Sequence, residues 1–447
     1  AYSTELVEAQ VRQAMEWLTS ERNENRRFAA VLVLRELAKN SSTLIRQHIQ
    51  VILAAIWEAL RDPKVVIRET AAETVAQCFK ALSARDQQDR QSCLLQMYNE
   101  AQSGFRRATL ECVHGSLLVY RELLVQGGMF MHNRYKEVCE RVLLQQYREH
   151  KDGTIRRTVV EIIPILAGYA PKEFCHHYLA RSMQHLQTLL RDPKQRNMAF
   201  VAIGKIAHAV GSQIAPYLDT ILLHVRDALS VKNRSKMSGD EAPIFECISM
   251  ISIAVGQTLS KYMEALLDPI FACGLSDALT QALVDMAHYI PPVKPTIQEK
   301  LLDLLSRTLC GQPFQTLGHP THGKGLPPIY TKDVRDQRDP QHLEHKDQEI
   351  ALALHTLGSF DFSGHVLNEF VRDVAIRYVE DDDPVIRKAA ALTCCQLFVR
   401  DPIVHQTSHH AIQVVSDVIE KLLTVGVADP QSDIRQTVLV SLDARFD

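Results

Sequence analysis

The chain is poor in large rings: aromatic residues make up 6% of its 447 residues, with only two tryptophans, Trp17 and Trp57. It lacks a charge of one sign. Lys and Arg number 50 against 53 Asp and Glu, a net charge of −3, which argues against a general binder of nucleic acid or anionic membrane. No run of consecutive apolar residues approaches the ~18 to 20 that a membrane span needs, so no direct membrane insertion is expected. The opening Ala1-Tyr2-Ser3-Thr4-Glu5 has neither the basic nor the apolar region of a secretory signal, nor an initiator methionine. A piece of a longer protein is expected. Ten cysteines are scattered through apolar helical stretches without a Cys-x-x-Cys pair. They read as small buried thiols of a reducing compartment, not as a zinc or disulfide framework.

Catalytic signatures are also missing. There is no Gly-x-Ser-x-Gly elbow, and Gly323-Lys324-Gly325 lacks the frame of a phosphate-binding loop. His405 and His409 stand one helical turn apart without the intervening Glu of a metalloprotease, and His319, His322, His342 and His345 cluster in a Pro- and Gly-bearing segment. Ordering such a segment around a metal would cost considerable backbone entropy, so no metal, cofactor or active site is expected. Phe360-Asp361-Phe362-Ser363-Gly364 reads as a turn after a helix.

Helical periodicity dominates what remains. Ile52, Ile56 and Leu60 step by four, and Ile67, Ala71, Val75 and Leu82 follow on the next helix. Between them lies Asp62-Pro63, read as a helix cap followed by a proline in the first turn. The pattern recurs as Asp62-Pro63 with Arg68, Asp192-Pro193 with Arg196, Asp383-Pro384 with Arg387 and Asp429-Pro430 with Arg435. Asp152-Gly153 with Arg156 is a weaker member, and Arg26-Arg27 and Arg106-Arg107 keep only the basic core. Arginines 27, 68, 107, 156 and 196 are separated by 41, 39, 49 and 40 residues, and 387 and 435 by 48. Periods near 40 to 47 built from two helices belong to HEAT-type arrays. The expected fold is all-α, a HEAT-repeat solenoid of about ten antiparallel helix pairs. Repeats occupy 1–310 and 346–447, and a Pro/Gly/His-bearing loop occupies 311–345. The repeated arginines invite two readings, a ladder that grips an acidic partner and a structural role in stacking; the structural one is favoured, because repeats must bury their faces on one another.

Several strings carry a family resemblance. Residues 21–38, and Asp62-Pro63-Lys64 with Ile67-Arg68-Glu69, resemble the start of the target-of-rapamycin (TOR) kinases, phosphatidylinositol-3-kinase-related Ser/Thr protein kinases. Asp268 to Ser276, Thr296 to Ser306 and Ala351 to Phe360 are similar to the same family in the same order. The resemblance implies a non-catalytic N-terminal HEAT scaffold, far in sequence from the kinase domain, which helps assemble a complex in growth signalling. It implies raptor-type or rictor-type accessory subunits, a Rheb-type small GTPase as a further partner, and a homodimer in the intact complex. It also implies a cytoplasmic protein, attached to lysosomal or vacuolar endomembranes through partners. Rivals are a transport receptor of the importin-β type and a phosphatase-type scaffold.

Overall fold

A computed structural model describes residues 4–20, 22–82, 87–107, 109–230, 241–314, 343–365, 367–400 and 409–443. Helices, with short 3-10 turns and one π turn, are the only regular elements among them. Two compact units, Ala1–Leu218 and Asp219–Asp447, divide the chain.

In the first unit, α1 (Thr4–Ser20) pairs with α2 (Glu24–Asn40), and α3 (Ile49–Leu60) with α4 (Val65–Ala81). Next come α5 (Gln87–Arg107) with α6 (Leu110–Gln126), α7 (Tyr135–Val142) with α8 (Gly153–Tyr169), and α9 (Leu179–Leu190) with α10 (Arg196–Val210). The second helices form a continuous layer, α2 on α4, α4 on α6, α6 on α8 and α8 on α10. The expected stripe is in the core: Ile67, Ala71 and Val75 are fully buried on α4 and Leu82 is buried just past its end, joined by Phe79, which the pattern did not include, while Val66, Glu73 and Lys80 remain exposed. A neighbour on either side leaves each second helix only a narrow outer stripe. Each buried Ile or Phe contributes about 1.5–3 kcal/mol relative to exposure, which is what holds the pairs together. Helix α6 is the extreme case, with Val113, His114, Gly115 and Ser116 buried in succession. A Cβ on Gly115 would lie 2.1 Å from the Leu60 carbonyl oxygen, so only glycine allows α6 to close on the end of α3.

The second unit continues the scheme with α11 (Leu218–Leu229) and α12 (Ala242–Val255), α13 (Ser260–Phe271) and α14 (Asp277–Tyr289), and α15 (Lys294–Cys310) and α16 (Leu343–Ser359). It ends with α17 (Asn368–Asp373) and α18 (Pro384–Arg400), then α19 (His409–Lys421) and α20 (Ser432–Asp443). Here α12 packs on α14, α16 on α18 and α18 on α20.

Two stretches, Arg196–Leu229 and Ala242–Phe271, are long and apolar enough to cross a membrane by length and composition. This differs from the expectation drawn from consecutive apolar residues, because sparse charges leave the average high. Each is two repeat helices joined by a 3-10 turn that opens on a left-handed glycine, Gly211 (φ 59°) or Gly256 (φ 51°). About half of the most apolar 18-residue window in each is buried. The ten cysteines are free thiols, all buried except the half-buried Cys175 and Cys273.

Candidate functional site

The sequence motif folds into a stapled turn rather than a helix cap. Helix α4 begins at Val65 with Lys64 as its cap, so Asp62-Pro63 lies in the turn before it. Asp62 still works as a local acceptor: its Oδ1 takes the Lys64 amide at 2.8 Å, while its main-chain carbonyl takes Arg68 Nη1 at 2.6 Å. The same guanidinium nitrogen donates to the Pro63 carbonyl at 3.0 Å. An arginine four residues past the cap therefore reaches back to the carbonyls six and five residues before it.

This geometry recurs. Arg156 binds the carbonyls of His150 and Lys151, Arg387 those of Asp381 and Asp382 at 3.1 and 2.9 Å, and Arg435 those of Asp429 and Pro430. Arg27 reaches the Arg22 carbonyl at 2.7 Å. Charge-assisted bonds to carbonyls that no helix can satisfy explain why arginine recurs at this position. Aligned on these arginines, the Asp-Pro strings are of different kinds. Asp62-Pro63 and Asp429-Pro430 precede the staple. Asp383-Pro384 is the cap and first turn expected of all four, with Asp383 Oδ1 accepting the Val385 amide at 2.7 Å. Asp192-Pro193 lies in a turn before α10, whose cap is Gln195. Its carboxylate takes the Gln195 side chain at 2.6 Å and the Lys194 amide at 3.0 Å, and these bonds, the first above all, hold it below the usual carboxylate range. Arg196 is buried at the start of α10 with no partner for Nε. Arg107 merely ends α5, and Val113 stands where a staple would be. Arg156, the weaker member by sequence, is a full one.

The staples also join consecutive pairs. Arg27 Nε donates to Asp62 Oδ2 at 2.7 Å. Arg387 grips Asp429 with two nitrogens, at 2.7 and 3.3 Å; the Asp429 side chain is only 2% exposed. Its carboxyl lies below the usual range. Burial, the largest single influence, pushes upward, and it is outweighed by Arg387, the Gln431 amide and Arg435 together.

Arg68 has no carboxylate on the next pair. Its Nε donates instead to Nδ1 of His114, at 2.8 Å, in a fully buried contact. Because a guanidinium only donates, His114 carries its proton on Nε2 and gives it to Thr158 Oγ1 at 3.0 Å. Thr158 passes its own proton to the Thr154 carbonyl at 3.0 Å. This chain links α4, α6 and α8. Burial first, and the Arg68 charge second, press the His114 pKa down to about 3, so the imidazole is neutral. Above it Arg157 of α8 meets Glu69 of α4, an ion pair that passes over α6. Sequence reasoning missed His114, Thr158 and Glu69–Arg157; the only signal was His114 and Ser116 standing between the apolar residues Val113 and Leu117 of α6.

The remaining candidates are ordinary. Asp361 accepts its own turn's Ser363 amide at 2.9 Å and Lys294 Nζ at 2.6 Å, so that string is a turn after α16. Trp57 is buried under the Arg61 guanidinium, 4.9 Å from its ring centroid. His405 and the loop histidines 319, 322 and 342 lie outside the described residues, as do the side chains of His345 and His409. No group of three or more metal-ligating side chains occurs among the described residues.

A two-helix repeat, apolar inside and tied by side chains between pairs, is the class of protein these observations define. The family model for importin subunit beta-1-like TPR repeats matches residues 71–300, and the chain belongs to that family of helical-repeat proteins. Its sequence is homologous to the N-terminal regions of TOR kinases. It is 42% identical over 445 residues to the serine/threonine-protein kinase tor1 of Schizosaccharomyces pombe, all of this chain and 19% of that protein. It is 35% identical over 454 residues to TOR of Arabidopsis thaliana, 99% of this chain and 18% of that protein. TOR2 of Saccharomyces cerevisiae is 32% identical over 466 residues, 100% of this chain and 19% of that protein. The chain thus spans about a fifth of these relatives, in a region that is not their kinase domain. Among solved structures it resembles the karyopherin Kap121p bound to the SUMO protease Ulp1p, with TM-score 0.57 and 14% identity. That match covers 98% of this chain and 49% of the karyopherin. At that identity the likeness is one of fold.

Proposed function

We propose that this segment is a non-catalytic scaffold through which a TOR-type Ser/Thr kinase assembles its complex in growth signalling. The carrying observation is the match to three such kinases along essentially the whole chain, at 32–42% identity. A repeat array supports the role physically, since it presents a long surface whose curvature changes through small rotations shared by many pairs. The partners are raptor-type or rictor-type subunits and a Rheb-type GTPase, within a homodimeric complex. No cofactor enters the role. The location is cytoplasmic, at lysosomal or vacuolar membranes through partners. The alternative of a transport receptor has in its favour the name of the family model and the karyopherin fold, but the 14% identity to Kap121p is weak beside 42% to a kinase.

The test is co-elution of the 447-residue chain with a raptor-type subunit, beside a charge-matched helical-repeat control, and assembly of the intact kinase with and without the segment. A stoichiometric complex that the control does not form, and loss of assembly on deletion, are expected. Equal assembly and equal kinase activity without the segment would overturn the proposal.

A further inference from the structure

Two clefts open on the second unit, and charge separates them. The larger, about 620 Å³, lies between the ends of α14 and α16 over Val284 and Phe360. Its cation is already spent, because Lys294 Nζ is bound to Asp361 at 2.6 Å and to Ser363 Oγ at 3.2 Å. Nothing there selects a charged partner.

The smaller, about 190 Å³, runs between α11 and α13. That volume is below the roughly 300–1,000 Å³ of small-molecule sites; it suits one or two inserted side chains. Leu223 and Leu266 form apolar walls, and Leu223 is 47% exposed. The one carboxylate of the cleft, Asp219, already accepts the Tyr262 hydroxyl at 2.5 Å. Lys261 lies over the Tyr262 ring, 4.6 Å from its centroid, and feels the charge of Asp219, but no described carboxylate pairs with Arg226 or Lys261 within salt-bridge distance. The cleft therefore combines exposed Leu223 with two cations, Arg226 and Lys261, against a single carboxylate, Asp219, and its lining is net positive.

We infer that the α11–α13 cleft is a docking surface for an acidic, leucine-bearing helical segment of a partner protein. The leucine would enter between Leu223 and Leu266, and carboxylates one turn away would face Arg226 and Lys261. Helices laid in grooves are read in this way, by apolar anchors at helical spacing with charges on the flanks, and matched charges at a rim govern encounter and selectivity. A free phosphate or nucleic acid would use the cations but leave the leucine wall without a function, so the apolar half of the cleft decides for a protein segment. The inference deepens the scaffold reading and rests on it.

The test is fluorescence anisotropy on the full 447-residue chain with two labelled peptides of roughly 16 residues, long enough for appreciable helicity. One carries leucines at helical spacing with glutamates, and the other carries lysines in place of the glutamates. The acidic peptide should bind, and the double variant Arg226→Glu with Lys261→Glu should weaken it by about tenfold or more, as like charges at an interface do. The same variant should gain affinity for the basic peptide. Leu223→Asp should weaken the acidic peptide independently, while circular dichroism stays unchanged because all three side chains are exposed. Equal binding of the acidic peptide to wild type and double variant would overturn the inference. So would a single-stranded oligonucleotide that displaces the peptide and is indifferent to Leu223→Asp, since that would describe a generic anion surface. A raptor-type subunit that still co-elutes with the double variant would refute this cleft while leaving the scaffold reading intact.

Discussion

Pairs two to four and pairs six to seven solve the same stacking problem by different chemistry. In the former, a guanidinium, an imidazole and a hydroxyl pass hydrogen bonds through the core from α4 to α6 to α8, and Glu69–Arg157 crosses above. In the latter the position four past the cap is Phe245 or Thr280, and no staple exists. Those pairs are joined by Ser249 donating to Asp285 and Tyr262 donating to Asp219, each at 2.5 Å. Both regions keep the apolar stripe, so that stripe makes the repeat. The arginine is an added device that holds the turn before a second helix and, where an acceptor waits on the next pair, ties the two.

The sharpest way to break this contrast is Arg68→Ala. It strips the donor from two carbonyls and from buried His114 and leaves a cavity, so a loss of about 3–5 kcal/mol is expected. Urea unfolding of the first unit, followed by hydrogen exchange in α4, measures it, with the exposed Lys205→Ala as a comparison expected to change little. A loss no larger than that of Lys205→Ala would mean that apolar stacking alone carries pairs two to four.

His114 sharpens it through pH. Its folded pKa of about 3 lies below the roughly 6.5 of a free imidazole, so the unfolded chain takes up a proton first. Its contribution to stability is therefore complete above about pH 6.5 and is lost progressively as pH falls toward 3. His114→Gln keeps an acceptor for Arg68 and a donor for Thr158 but cannot titrate. Its stability should fall less steeply than wild type across that window. Parallel profiles would show that the histidine is solvated and unlinked from Arg68.

Asp429→Asn is expected to cost less, about 1–2 kcal/mol, since the turn's acceptor survives while the charge that grips Arg387 is lost. The wild-type carboxyl is held below its usual range, so its stabilisation is present above the ordinary carboxylate pKa and is lost as pH falls through the folded value. Wild type and variant should therefore differ at neutral pH and converge in acid. A difference that persists in acid would assign the effect to shape rather than charge.

Much of this was legible in the sequence, for a reason visible in α4. The stripe Ile67, Ala71, Val75 is a property of one helix and needs no partner to be read. The register of the staple was not, because Asp-Pro suits a helix cap and a turn equally well. Only the position of Arg68 relative to Lys64 distinguishes them, and Asp383-Pro384 shows that the cap reading is sometimes correct. The His114 chain was invisible for a stronger reason. Its members are 46 and 44 residues apart, and nothing local marks a histidine as an acceptor for an arginine on another repeat.

The smallest expected effect tests how far that tie extends. Glu69 and Arg157 are 37% and 49% exposed, and an ion pair so placed contributes at most about 1 kcal/mol, so global unfolding is a poor probe. Its position gives it a local consequence instead: it closes α4 to α8 over the buried start of α6, so opening it should admit solvent to amides near His114. Arg157 also lies 3.5 Å from Glu161, and charge reversal would create a new repulsion there. Neutral variants avoid that. Glu69→Gln and Arg157→Gln, alone and together, form a double-mutant cycle that isolates the pair, read as hydrogen exchange in residues 110–120. Each single change should speed exchange a few fold, the double should add little more, and raised salt should bring wild type toward the variants. Strict additivity with no salt effect would place the whole tie in the Arg68–His114–Thr158 chain and leave the crossing pair a passenger.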